Sequence, residues 1–384
     1  MRYRLSCLTP LLVGDGGKLS PIDYMVWKDQ VNVLDQRRIF RLLAKGPRLE
    51  GYLTQIKKAE KLDFASWGGF AQNFAGRRIP FENPACASHW ERAHTENLHI
   101  PTFVSGPAGP YLPGTAMKGA LRTGVVSVHW DEDTLKEVAA RIQPDRPLRR
   151  PAESGEESVV GPGGTNRMKF LSIADSAPVP VASFKVYLLR VSTLLPKGQG
   201  RYELGWKQSS RGATDGRRPD DSTPIFAEMA TPGTTFEGSW QENQFFSQPE
   251  IVRAEGWRSA PDRAVLLQAA NDYAAQQLAL HKQYAQWTGL ILLLKHIEEL
   301  EARLAAARAQ SNACLLNLGW GGGLFGKSAW LDTANESYRR IARQLPLYTR
   351  AIESGLPFPK TRRIVFLNNR PATLPGWAEL GVEE

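Results

Sequence analysis

The chain has 384 residues, 42% hydrophobic and 23% charged, which is ordinary for a globular protein and enough for two packed cores. Lys and Arg outnumber Asp and Glu by 48 to 39, and a formal charge of +9 suits a polyanionic partner, although a soluble protein can simply be basic. Three scattered cysteines (Cys7, Cys86, Cys314) argue against a disulfide framework or a four-cysteine zinc site, and the absence of a signal-like or bilayer-long apolar run predicts a cytoplasmic protein with no membrane contact.

Tyr3 to Val13 reads as a first strand, closed by the turn Gly14-Asp15-Gly16-Gly17. Ile22–Trp27 and Val31–Leu34 flank Lys28-Asp29-Gln30 as a hairpin. Asp35 is placed to cap a helix over Gln36–Lys45 that Gly46 ends, and a second basic helix is expected from Arg48 to Leu62. Ala65 to Pro110 reads as irregular. Ala116 to His129 has helical spacing, and Gln143 to Val181, dense in Pro, Gly and Ser, reads as a loop-rich boundary. Phe184–Ser192 is a strand, and Pro196–Pro224 a polar insertion carrying Arg201, Lys207, Arg211, Arg217 and Arg218. Ile225–Ala230 and Thr234–Trp240 are expected to form a hairpin through Pro232-Gly233. Pro261 to Gln310 is helical, with a seam from Leu280 to Leu304 that suits a coiled coil or a helical hairpin on a sheet; we assign it to the core. A helix over Ala329–Leu345 and a closing strand at Arg363–Leu367 complete the chain. The expected organisation is α+β, with antiparallel sheets in an N-terminal domain (1–142), a loop-rich boundary (143–182) and a C-terminal domain (183–384) that contains the helical insertion 261–310.

Two constellations carry chemistry. Pro113-Gly114-Thr115 leads into a helix whose first-turn N–H groups favour an anion, with Thr115 placed to cap it. Lys118 and Arg122 follow four apart on one face, the first a point charge and the second a two-donor phosphate grip. A capped surface helix with two solvated cations fits the same spacing. The second constellation is the run Leu318 to Ser328, in which Gly319, Gly321, Gly322 and Gly323 let the backbone approach a ligand, Trp320 and Phe325 suit base stacking, and Lys327 adds charge. Arg362, near the C-terminus, joins these cations.

Gly321 to Ser328 also matches the phosphate-binding pattern GxxxxGK[ST], which opens a P-loop NTPase (ATPase or GTPase) alternative. That pattern functions between a buried parallel strand and a helix, a context the antiparallel reading does not supply. Cys86, His89, His94 and His99 could supply zinc ligands, but their spacing puts them on no single helical face, so no metal or other cofactor is expected.

The segments Leu8–Gly16 and Lys18–Tyr24, the motif Leu112–Arg122, Ile173-Ala174-Asp175-Ser176, Pro232–Phe236 and the run Leu318–Ser328 resemble, in order, motifs of the RAMP superfamily of CRISPR-associated proteins. Within it they are most similar to the fifth-subunit family of type III-A Csm effector complexes. The resemblance implies two ferredoxin-like (RRM-like) domains with a glycine-rich loop across the RNA-binding face. It also implies a non-catalytic subunit capping the 3′ end of the CRISPR RNA (crRNA) in antiviral defence. The implied partners are crRNA, target RNA, the repeated backbone RAMP subunit, the small helical subunit and host nucleases that mature the guide. A RAMP-type endoribonuclease remains the alternative.

Overall fold

The computed structural model describes residues 1–58, 61–62, 73–143, 150, 153–198, 200–208, 215–257 and 259–383. It is an α+β fold on two larger antiparallel sheets. The first sheet orders its strands Ala313–Asn317, Trp377–Glu383, Arg2–Cys7, Thr235–Glu242 and Leu171–Ile173. The helix Gly114–His129 follows the first strand, and Arg263–Thr288 follows Thr235–Glu242. Together with the last four strands of that order they trace the β-α-β-β-α-β path of a ferredoxin-like unit. Alternation explains the sidedness: Tyr3, Leu5 and Cys7 point into the core, while Arg2 and Arg4 face outward. Because this topology closes with its final strand beside its first, strand pairing crosses the division at 142 and 183.

The second sheet is organised by the long strand Phe184–Gly198, which pairs with Arg201–Trp206, Ile225–Ala230 and Thr361–Leu367. Both its faces are covered. Tyr187, Leu189, Ala227 and Val365 meet the core shared with the first sheet, whereas Val186, Leu188, Phe226 and Ile364 meet a core lined by the helical hairpin. Two-sided burial accounts for an apolar run without alternation. A smaller sheet of Tyr24–Trp27, Gln30–Leu34 and Ala75–Pro80 carries the helices Gln36–Leu43 and Leu49–Lys58.

Local signals translated directly where one chemical rule sufficed. Asp35 accepts from the Arg38 N–H (3.0 Å) at the start of its helix. The helical stretch is the hairpin Arg263–Thr288 and Ile291–Arg308, turned at Gly289 in the left-handed region. Asn271, buried on its first helix, donates to the Ala313 carbonyl (3.0 Å) and accepts from the Leu315 N–H (3.0 Å). That closes the outer edge of the first sheet against further pairing. Among the described residues no helix is long and apolar enough to cross a membrane.

Other expectations are corrected. The first strand ends at Cys7, and Leu11 then makes an isolated bridge to Ala230. The hairpin through Pro232-Gly233 does not form: Ile225–Ala230 pairs with Phe184–Leu189, and Thr235 onward pairs with the first strand. The two segments differ in burial, one almost wholly buried and the other alternating, so they belong in different sheets and the turn carries the chain between them. The irregular stretch contains the strand Ala75–Pro80 and the helix Ala85–Arg92, with residues 65–72 outside the described residues. Within the polar insertion, Arg201–Trp206 folds back on the long strand. The helix expected from Ala329 starts at Glu336, capped by Asn335 (3.1 Å to the Tyr338 N–H), and Pro346 opens a separate helix. After Thr361–Leu367 the chain does not close. Asn368 and Asn369 both take positive φ and turn it into Arg370–Thr373, ahead of the final strand.

Candidate nucleic-acid interface

The helix Gly114–His129 begins against the segment Ile173–Ser176. The Gly114 N–H donates to Asp175 Oδ1 (2.9 Å), and Leu112 and Ser176 exchange N–H bonds to Ser176 Oγ (2.9 Å) and the Leu112 carbonyl (2.9 Å). A Cβ on Gly114 would lie 2.1 Å from the Ile173 carbonyl oxygen, so only glycine fits this junction. Two segments distant in sequence are thus the two sides of one joint. The anion at this helix start is the chain's own carboxylate. Thr115 is exposed and does not cap; the cap position is Pro113, which has no side-chain donor or acceptor to offer.

Lys118 and Arg122 share a face, as the spacing predicts, but both are engaged within the chain. Lys118 Nζ donates to the Leu171 carbonyl (2.6 Å), and partial burial lowers its pKa. Arg122 Nη2 donates to Glu156 Oε2 (2.6 Å), a pair about one-third exposed on each side and therefore exchangeable with a competing anion.

The glycine-rich run leaves the edge strand Ala313–Asn317 and folds over Leu12-Val13, beyond the end of the first strand. Trp320 donates its N–H to the Leu12 carbonyl (2.7 Å), and a Cβ on Gly319, at φ +71, would stand 2.1 Å from that same oxygen. At Gly322 a Cβ would meet Asn317 Oδ1 at 2.2 Å. These glycines serve close packing inside the chain, while Gly323 is exposed and unobstructed and Gly321 is buried against Pro375. Phe325 is buried, contrary to a stacking role; the Tyr273 hydroxyl lies 2.7 Å from both the Phe325 and Ser328 carbonyl oxygens, which share its one proton, and pins the run to the helical hairpin.

Phosphate-loop geometry is not adopted. The preceding strand pairs antiparallel at a sheet edge, and no helix opens at Lys327 or Ser328. The N–H groups of Gly326, Lys327 and Ser328 bond to carbonyls of Gly322 and Leu324 instead of converging on a ligand.

The loop and the helix start lie on one core. Trp320 packs on the same apolar cluster as Ala116 and Ala120. A backbone relay through Leu12-Val13, Val104 and Tyr111 joins them, with the Val104 N–H bonded to the Val13 carbonyl (2.9 Å). Lys327 is exposed. Arg362 is buried: its guanidinium lies 4.5 Å from the Tyr284 ring centre and 4.7 Å from that of Phe325, and Nε donates to His281 Nδ1 (3.1 Å). Its neighbour Arg363, on the opposite face of the strand, stands 4.8 Å over the Trp320 ring and belongs to the loop surface. Sequence reasoning chose the wrong parity here, since two adjacent arginines in a strand cannot both face inward. Arg217 and Arg218 are exposed beside Glu203 (3.8 Å) and Asp221 (3.3 Å), in the polar insertion and apart from this surface; Arg211 lies outside the described residues.

His281 gives a pH test of the Arg362 cluster. Burial, then the Arg362 charge, push its pKa well below the usual imidazole value, so it stays neutral when folded. The unfolded chain takes up a proton that the folded chain refuses, and stability therefore falls as pH drops below about 6.5, by up to ~1.4 kcal/mol per pH unit from this group. Urea unfolding of His281→Asn between pH 7.5 and 5.5 is expected to show that slope reduced; an unchanged slope would remove His281 as its source.

Among the described residues no group of three His, Cys, Asp or Glu side chains converges to hold a metal. Sequence reasoning also missed a cleft of about 770 Å³ on the outer face of the first sheet, roofed by the helix Ile291–Arg308. It is lined by Arg4, His296, Glu299, Arg303, Glu379 and Glu383 among others, with no Phe, Tyr or Trp.

The RAMP superfamily model matches residues 4–325, from the first strand through the helix junction and into the glycine-rich run. The chain belongs to the RAMP superfamily. A similar RAMP protein is the CRISPR system Cms protein Csm5 of Methanocaldococcus jannaschii, 21% identical over 100% of this chain and 89% of that protein. In fold, this RAMP chain resembles a chain of the Csm-crRNA-target RNA ternary complex of a type III-A CRISPR-Cas system (TM-score 0.66, 18% identity, all of both chains). It also resembles T. onnurineus Csm5 (TM-score 0.62, 18% identity, 99% of this chain and 100% of that one).

Proposed function

We propose that this RAMP protein is the Csm5-like subunit of a type III-A Csm complex, holding the 3′ end of the crRNA without cutting it and supporting guide maturation in antiviral defence. The observation that carries the reading is that the glycine-rich run and the Gly114–His129 helix pack on one core, with Trp320 of the run backed by Arg363. Exposed Thr115, Gly319, Gly323 and Lys327 present backbone, hydroxyl and charge to a sugar-phosphate strand. Arg122 adds a second cation by exchanging Glu156 for a phosphate. The neighbours of such a head subunit are the repeated backbone RAMP subunit and the small helical subunit, with target RNA paired to the guide and host nucleases trimming its end. The likeness in fold to a chain of a Csm-crRNA-target RNA complex supports this assembly.

The direct test is salt dependence. Neutralising Arg122 and Lys327 together (Arg122→Gln with Lys327→Gln) is expected to weaken RNA binding for every sequence tried. It should also lower the slope of log K against log salt by about 1.4, two single-strand phosphate contacts. An unchanged affinity and slope would remove this surface. Metal-dependent RNA cutting by the purified subunit, or ATP turnover abolished by Lys327→Ala, would overturn the non-catalytic reading. Crosslinking of crRNA 3′ ends to this subunit within the complex tests the capping position.

A further inference from the structure

A second basic pocket lies away from the glycine-rich run, where the polar insertion meets the helix Ala85–Arg92. Its volume is about 430 Å³, room for one nucleotide-sized group. At its floor is Arg190, in the middle of the long second-sheet strand and only 2% exposed. One terminal nitrogen of Arg190 donates to the carbonyls of Pro219 (2.7 Å) and Ser222 (2.6 Å). The other donates to His89 Nδ1 (3.2 Å) and lies 3.4 Å from Asp220 Oδ1. Its Nε has no hydrogen-bond partner among the described residues. His89 is itself buried; its Nε2 donates to Asn369 Oδ1 (2.8 Å), leaving Nδ1 to accept from both Arg190 and Arg92 (3.3 Å).

The charges do not balance. Two guanidiniums share the neutral acceptor of one imidazole, which carries no negative charge to offset them; burial followed by the Arg190 and Arg92 charges lowers the His89 pKa and disfavours a further cation there. Asp220 supplies a carboxylate, but at 3.4 Å and largely exposed, while Asp221 is turned towards Arg218 (3.3 Å). A buried guanidinium with an unused donor and a loosely held carboxylate is an incomplete anion site.

We propose that this pocket takes a phosphate group of a nucleotide, which displaces Asp220 and is gripped by Arg92 at the rim and Arg190 at the floor. Arg217 and Arg218, exposed on the same insertion, extend the positive path outward. The proposal rests on the RNA-binding reading and gives the insertion its part in it.

Titration calorimetry with inorganic phosphate, uridine 3′-monophosphate and uridine tests the pocket on the full chain. Phosphate and the nucleotide are expected to bind, and uridine is not. Arg92→Gln, an exposed change that spares the core, should weaken both anions about fivefold, and Asp220→Asn should tighten both by a similar factor by removing the competing charge. A purely structural Asp220 would not tighten anything. Binding of phosphate without the nucleotide identifies a free anion as the source and overturns the nucleotide assignment. Equal anion binding by the wild type and both variants, or none at all, overturns the site. Retained RNA binding with no anion response sinks the pocket alone. Lost RNA binding with the anion response intact sinks the RNA reading instead.

Discussion

Glu228→Ala is expected to lower stability by about 3–5 kcal/mol, the cost of stranding a buried charge. Glu228 is wholly buried on the strand Ile225–Ala230, where its carboxylate pairs with the Arg77 guanidinium from Ala75–Pro80. Arg77 is itself mostly buried, enough that burial lowers its pKa. The pair ties the small three-stranded sheet to the second sheet, next to the bond from the Glu82 N–H to the Val186 carbonyl (2.9 Å). Removing the carboxylate leaves Arg77 without its countercharge and loosens that attachment. Against a total of about 5–15 kcal/mol for a folded domain, the loss is severe. Arg77→Leu combined with Glu228→Leu is expected to recover most of it, because an apolar pair of similar volume escapes the desolvation cost. Urea unfolding of the single and double variants measures both terms. A loss below about 1 kcal/mol for Glu228→Ala would mean that the pair is not dehydrated in solution.

The second large effect is at Gly319. Gly319→Ala meets two obstacles: a left-handed φ of +71, costing about 1–2 kcal/mol for an alanine, and a Cβ 2.1 Å from the Leu12 carbonyl oxygen. Relief requires the loop to lift, breaking the bond from the Trp320 N–H to Leu12, which adds about 1–3 kcal/mol. A total near 3 kcal/mol is expected, with a shifted Trp320 emission and faster proteolysis of the run. Gly323 is the internal control. Its φ of +67 is similar but its Cβ direction is open, so Gly323→Ala should cost only about 1–2 kcal/mol and leave Trp320 in place. Equal costs at the two positions would show that the run needs glycine for backbone freedom alone, and that the seat on Leu12 is not rigid.

These two sites show how differently the parts of the molecule were readable. The glycine-rich run was visible as a motif, but sequence assigned its glycines to a ligand. The structure uses Gly319 and Gly322 to bring the run against Leu12 and Asn317. Lys118 and Arg122 were read as free cations because their partners, the Leu171 carbonyl and Glu156, lie 53 and 34 positions away. The Asn368-Asn369 turn rests on a local preference, because asparagine tolerates the positive φ that both positions take. Residues 209–214, with Arg211, lie outside the described residues.

What the amino-acid sequence determined by itself is whatever one stretch of chain can decide locally. The Asp35 cap, the Tyr24–Leu34 hairpin, the Gly114–His129 helix and the helical pair turned at Gly289 each follow from spacing and backbone preference within a few residues. Ordered motifs also revealed the superfamily. Only the tertiary structure decided which strands pair, whether Arg362 or Arg363 faces inward, and which cations remain available. Those outcomes depend on groups far apart in the chain, Asp175 on Gly114 and Leu12 on Trp320, whose meeting is set by burial of whole faces and not by neighbouring residues.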